Sequence, residues 1–141
     1  MSVLAIDDHM VVVEGYHSIF KLLQGSSFKD LTFTKANDCK TGYKTIERHK
    51  ENPFDIAVID YSIPEYPEMN LHSGHDMAVH LRKAMPSCKI VMMTMHKEME
   101  IMNGILNNIN PEGFINKSDC TTDEIADCFK AVLLQYHRKL P

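Results

Sequence analysis

The chain has no excess of positive charge. Its 15 Lys and Arg are outnumbered by 19 Asp and Glu, for a formal charge of -4. This argues against the segment gripping nucleic acid by itself, because duplex binding needs a basic face. No apolar run approaches the roughly 18–20 residues that cross a bilayer, so no membrane span is expected. The N-terminus carries no signal-peptide pattern and enters a strand directly. Four cysteines, at 39, 88, 120 and 128, show no CxxC spacing. They read as free thiols in a reducing cytosol, and the expected localisation is cytoplasmic. Internal repeats, low-complexity runs and linkers are absent. The ten methionines, Met92, Met93 and Met95 among them, read as core filling rather than soft-metal ligands. What remains is a chain of 141 residues, 44% hydrophobic and 24% charged, long enough for one domain with a real core.

The central stretch runs from Phe54 to Pro64. Asp55 to Asp60 is a short run rich in β-branched residues, the signature of a strand buried on both faces. It ends on the carboxylate of Asp60, and Pro64 prevents it from continuing. Other strand candidates are Ser2–Ile6, ending at Asp7-Asp8, then Leu31–Ala36, Lys89–Thr94 and Gly113–Lys117. Helical spacing appears over about 10–24 (Val12, Tyr16, Ile19, Phe20, Leu23), closed by Gly25-Ser26-Ser27. A second helix follows Asn37 or Asp38 as cap and runs to about Glu51. With Gly42 inside it and only Cys39, Tyr43 and Ile46 on one side, it is expected to be the loosest. A third spans Gly74 to about Met85, with Met77, Val79, Leu81 and Ala84 as core positions. A fourth runs from Lys97 to about Ile109. The last is capped by Thr121 or Thr122 and carries Ile125, Ala126, Phe129, Val132 and Leu133.

Five strands alternating with five helices imply an α/β fold: a single doubly wound, five-stranded parallel sheet covered on both faces. Right-handed crossovers and the length favour the flavodoxin-like order 2-1-3-4-5. In that order the first and third strands are neighbours, and the ligand crevice lies at their carboxyl ends. Asp7, Asp8 and Asp60 meet there, with Thr94 and Lys117 arriving from the next strands outward. Two unit charges about 4 Å apart repel by about 4 kcal/mol at an effective dielectric near 20. Either one carboxylate is protonated or a metal neutralises them. A cluster of oxygen ligands with no His or Cys favours Mg²⁺ over zinc. Asp60 then reads as a nucleophile poised for in-line phosphoryl transfer. Lys117 supplies a charge for the phosphate oxygens and Thr94 a hydroxyl donor. Taken singly, each signal has a plain alternative: a helix-cap pair for Asp7-Asp8, a turn residue for Asp60, a strand terminus for Thr94, a solvated lysine for Lys117. Their joint placement at the ends of four strands is the specific observation.

With Asp7-Asp8, Asp60, Pro64 four positions on, Thr94, and Phe114 three residues before Lys117, the sequence resembles a two-component response-regulator receiver domain over essentially its whole length. The resemblance implies that Asp60 is the phosphoacceptor and that a phosphohistidine on a sensor histidine kinase is the donor. It implies that Asp8, Asp60 and the Ser62 backbone carbonyl ligate Mg²⁺ directly, with Asp7 acting mainly through water. Thr94 and Phe114 would be the switch pair, the hydroxyl following the phosphoryl group and the ring turning inward. Asp7-Asp8-His9, Val12, Glu14-Gly15, the segment 113–117 and the tail around Arg138–Pro141 are similar to the LuxR/NarL-type subfamily. Members usually carry a helix-turn-helix DNA-binding domain next, so residues 1–141 are expected to be the receiver part of a longer transcription regulator. Contact with DNA would then be indirect, and a homodimer on activation is compatible with the resemblance. No enzymatic turnover is expected, only the domain's part in its own phosphorylation and dephosphorylation.

The sequence departs from that pattern in two places. The segment between Asp60 and Gly74 is several residues longer than usual; it reads either as a solvated loop or as a flap or kinase-specificity element. Met95 follows Thr94 where a smaller residue is usual, and a long side chain there would narrow access to Asp60. Two rival functions fit the residues less well. A receiver-like interaction module that signals without phosphate would need a broken site, and all five polar residues are present. A Mg²⁺-dependent hydrolase of the haloacid-dehalogenase type would carry a second Asp two positions after the nucleophile, where Ser62 stands.

Overall fold

The computed structural model describes residues 1–24 and 30–138. The segment 25–27, expected to close the first helix, and the tail 139–141 lie outside the described residues. Five strands, β1 (Ser2–Ile6), β2 (Thr32–Ala36), β3 (Ile56–Asp60), β4 (Lys89–Thr94) and β5 (Gly113–Asn116), pair in parallel in the order β2-β1-β3-β4-β5. Five α-helices connect them among the described residues: α1 (Met10–Gln24), α2 (Cys39–Arg48), α3 (Gly74–Ala84), α4 (Met99–Asn108) and α5 (Thr122–Arg138). The doubly wound, flavodoxin-like fold expected from the alternation is the fold observed.

Every residue of β3 and β4 is buried, as strands covered on both faces must be. Side chains alternate between two cores. Val3, Ile56, Val58 and Val91 join Tyr16 and Phe20 of α1 and Phe129 and Val132 of α5. Leu4, Ile6, Ala57, Ile59, Ile90 and Met92 face Ile46 of α2, Met77 and Leu81 of α3, and Ile105 of α4. Each fully buried aliphatic or aromatic side chain contributes about 1.5–3 kcal/mol.

The helix ends follow local chemistry. Asp38 is the cap of α2, its side chain accepting from Thr41 N–H at 2.6 Å. Ser73 caps α3. Thr121 and Glu124 form a reciprocal capping pair at the start of α5. Three expectations need correction. On α1 Tyr16 and Phe20 are buried as expected, but in the first turn Val13 is the buried residue and Val12 is 37% exposed, because Val13, Tyr16 and Phe20 are the set that meets the sheet. Helix α2 is not loosely held: Cys39, Gly42, Thr45 and Ile46 are all buried. Its glycine is a close-approach point, since a Cβ there would stand 2.9 Å from Met77 Cε and 3.1 Å from Ile6 Cδ1. Helix α4 starts at Met99 rather than Lys97, leaving residues 95–98 as a loop at the sheet's carboxyl edge.

The long segment after β3 is ordered. Tyr66 and Leu71 form an antiparallel bridge around a one-turn 3-10 segment, Pro67–Met69, with Asn70 left-handed at φ 57°. Ile63 and Leu71 are buried. Pro64 C=O accepts from Cys39 N–H at 2.9 Å, and Tyr66 packs on Tyr43 with Lys40 over its ring. These contacts fold the segment down on α2. Deleting residues 65–70 removes this brace and is expected to change the rate of the phosphotransfer that the resemblance implies; unchanged transfer rates would remove any role for the segment in that step.

At the opposite, amino end of the sheet, Arg82 of α3 gathers five acceptors. Its guanidinium donates to Ile109 O, Cys88 O and Asn110 O at 2.9–3.1 Å, and to both carboxylate oxygens of Glu112 at 2.9 and 2.7 Å. Lysine cannot reproduce that fork. Arg82→Lys is expected to cost about 2 kcal/mol in urea unfolding. All four cysteines are free thiols, and burial pushes the Cys39 and Cys88 thiols up to about 11 and about 12. No helix among the described residues is long and apolar enough to cross a membrane.

Candidate functional site

Strand register builds the site. Ile6 pairs with Ile59, so Asp7 and Asp60 end their neighbouring strands side by side. Both continue the alternation that puts Val3 and Val58 on the α1/α5 side. Asp7 is 1% exposed and Asp60 4%, while Asp8 stays open at the rim. Lys117, just past β5, reaches back over the crevice: its Nζ lies 3.1 Å from Asp7 Oδ2 and 3.3 Å from Asp60 Oδ2. Its own N–H donates to Thr94 O at 2.7 Å, which fixes the side chain's origin. Three carboxylates thus face one ammonium, leaving two negative charges uncompensated when all are ionised.

Burial first, and then the charges of Asp7 and Asp8, push the Asp60 carboxyl up to about 6, with Lys117 pulling the other way. The site is therefore poorly neutralised as it stands, and a divalent cation is the natural complement. One ligand atom each from Asp7, Asp8, His9 and Asp60 lie within 4.8 Å of one another. The expectation of a cluster free of histidine needs correction. His9 Nδ1 is 3.2 Å from Asp7 Oδ1 and 3.1 Å from Asp8 Oδ1, and His9 N–H donates to Asp7 Oδ1 at 2.9 Å. His9 turns back because its backbone N–H closes an Asx-type turn on Asp7. His9 Nδ1 lies against two of the carboxylates, and the oxygens of Asp7, Asp8 and Asp60 are hard donors, which fit Mg²⁺.

Thr94 is fully buried, and its hydroxyl accepts from His96 N–H at 2.9 Å. A hydroxyl that accepts there keeps its own proton to donate. Phe114 is half-buried on β5, opposite Met92, and packs against the core beneath α2–α4. Ser62 is exposed in the loop after Asp60, and its hydroxyl contacts His96 Nε2 at 3.1 Å. Met95 is 60% exposed; next to it, His96 also meets the ring of Tyr61 edge-on at 5.2 Å and Glu98 at 3.2 Å. His96 gave no signal in the sequence beyond lying two residues after Thr94. Tyr16 is a second omission: it was counted as an apolar helix position, yet its hydroxyl lies beside Asp7.

The response regulator receiver domain family model matches residues 3–129. A comparison with curated proteins finds no match. Among solved structures, a CheY-like response regulator receiver domain protein from Methanospirillum hungatei JF-1 superposes with a TM-score of 0.75 at 18% identity, covering 99% of this chain and 98% of that one. A LuxR-family DNA-binding response regulator from Staphylococcus aureus gives 0.69 at 14% identity, covering 93% and 97%. RcsB from Salmonella enterica serovar Typhimurium, bound to promoter rprA with the phosphomimetic BeF3-, gives 0.71 at 18% identity, covering 93% and 67%.

Proposed function

The chain belongs to the response regulator receiver domain family, and on that premise we propose that it is a phosphoryl-accepting switch centred on Asp60. An Asp60 carboxylate oxygen attacks the phosphorus of a phosphohistidine on a sensor histidine kinase. The P–N bond breaks, an acyl phosphate forms on Asp60, and the departing imidazole nitrogen keeps the electron pair and takes up a proton. The observation that carries this reading is the buried Asp60 carboxylate, 3.3 Å from the Lys117 ammonium and beside two further carboxylates.

Asp8, Asp60 and the Ser62 carbonyl would hold Mg²⁺, with Asp7 acting through water, and the ion when bound supplies neutralisation of the charge shared by carboxylate and phosphoryl oxygens. The chain's own residues do the rest. Lys117 holds a positive charge where phosphoryl oxygens arrive. Thr94 directs its hydroxyl proton to one of them. The new group adds about -1.5 to -2 charge, which draws Thr94 in and vacates the space into which Phe114 turns. The domain performs no sustained turnover; it takes and releases its own phosphoryl group. The output is transcriptional, of the LuxR/NarL type, in a cytoplasmic protein whose chain continues into a helix-turn-helix domain and dimerises on activation. Support comes from the opening segment through Gly15 and from the LuxR-type and promoter-bound relatives in structure.

Incubation with a small phosphodonor and Mg²⁺ tests the central step. An acyl phosphate of defined lifetime, lost when the metal is chelated, is expected. No uptake would instead favour an interaction module, and continuous release of phosphate a hydrolase.

A further inference from the structure

Tyr16 occupies a position where packing alone asks for a hydrocarbon ring. Its ring lies in the α1/α5 core and meets Phe129 edge-on at 5.8 Å. The residue is 3% exposed, and its hydroxyl is buried beside the Asp7 carboxylate without completing a well-formed hydrogen bond to it. A phenylalanine would keep all of that packing and remove a buried orphan donor. Such groups are rare in folded proteins, and each calls for a reason.

The surroundings supply one. Asp7 and Asp60 point to the same side of the sheet as Val3 and Val58, the side that α1 covers. The hydroxyl therefore lies beneath the acidic floor of the crevice, beside Asp7. Asp7 is held from above on both oxygens, by Lys117 on Oδ2 and by His9 on Oδ1.

We propose that Tyr16 is a positioning residue of the cation site, its hydroxyl donating to the Asp7 carboxylate when the site is filled. This rests on the reading of the acidic crevice as a Mg²⁺ site. When a cation draws the carboxylates together and Lys117 turns toward an incoming phosphoryl group, Asp7 loses part of its ammonium partner. The phenol replaces that donor from below, and the carboxylate keeps its orientation. The orphan donor of one state is thus a satisfied one in the other.

The consequence is an opposed effect on two states, which a merely structural residue would not produce. Metal-free Tyr16→Phe should melt at or above the temperature of the natural chain, because an unsatisfied hydroxyl has gone. Its affinity for Mg²⁺ by calorimetry should fall about fivefold, and the Mg²⁺-induced rise in melting temperature should shrink. Tyr61→Phe, altered at the rim, should leave both unchanged. The chain has five tyrosines and no tryptophan, so the near-ultraviolet circular dichroism of the natural protein offers a reading that needs no variant. Mg²⁺ should change the tyrosine band, and the change should persist in Tyr61→Phe. Natural protein that binds Mg²⁺, with Tyr16→Phe binding it equally well and showing the same thermal shift, overturns the inference and leaves the parent reading standing. A wild-type chain that binds no Mg²⁺ overturns both.

Discussion

An Asp60→Asn variant will accept no phosphoryl group from a small phosphodonor, and without metal it will be more stable than the natural chain above about pH 6. The first half follows from nucleophilicity, since the amide offers no anionic oxygen to phosphorus. The second half follows from where the carboxylate is kept. Burial raises the Asp60 carboxyl from its ordinary value of 3.8 to about 6 in the fold. Between those values the folded chain binds more protons than the unfolded one. Raising pH through that window therefore costs stability, about 3 kcal/mol if the whole shift is expressed. Asparagine has the same shape, removes the repulsion with Asp7 and Asp8, and leaves Lys117 to pair with Asp7 alone. Urea unfolding of both chains without metal should give similar stabilities near pH 4 and a gap of about 1–3 kcal/mol in favour of the variant at pH 7. Saturating Mg²⁺ should narrow that gap by stabilising the natural chain more. A variant that labels, or one no more stable at pH 7, would remove Asp60 from the role assigned to it.

Gly74→Ala should be the most damaging single methyl in the molecule. A Cβ on Gly74 would stand 2.0 Å from Asp60 O, 2.8 Å from Asp60 C and 2.9 Å from Tyr61 Cα. All three are backbone atoms, so no side-chain rotation relieves the clash. Gly74 N–H donates to Tyr61 O at 2.8 Å, and the start of α3 is thereby seated on the backbone that leaves Asp60. Either that seat opens or the end of β3 moves. Stability should fall by about 3 kcal/mol or more, and Mg²⁺-dependent phosphorylation should fall with it. Gly15→Ala is the internal control. Gly15 lies in the exposed face of α1 with nothing within 4 Å of a Cβ, so alanine there should stabilise by about 0.5–1 kcal/mol. Equal stabilities for the two variants would contradict the close approach at Gly74.

Much of this was readable beforehand where one rule dominated. β3 and β4 were recognisable because strands covered on both faces must be continuously apolar, and their polar terminal residues, Asp60 and Thr94, marked the crevice. The sheet order then brought Asp7, Asp8, Asp60 and Lys117 together without any knowledge of coordinates, while Thr94 meets Lys117 through its backbone carbonyl. What escaped were contacts set by neighbours distant in sequence. Gly42 looked like a weakness of α2 and is a packing device, because only the approach of Met77 and Ile6 gives its missing side chain a purpose. Tyr16 counted as apolar because helical spacing records which face a residue occupies, and not what lies under its hydroxyl. His9 seemed outside the cluster because a turn closed by its own N–H, invisible in composition, swings it back onto Asp7 and Asp8.

The Arg82 junction bears on how far a disturbance at the crevice can spread. One planar cation fastens α3 to the exit of α4, the entry of β4 and the entry of β5, all at the edge remote from Asp60. With that edge fastened, α3, α4, β4 and β5 are expected to respond to charge added at the far rim by tilting about the Arg82 end, so that the loop 95–98 and the start of α4, at the other end of β4, move more than the residues Arg82 holds.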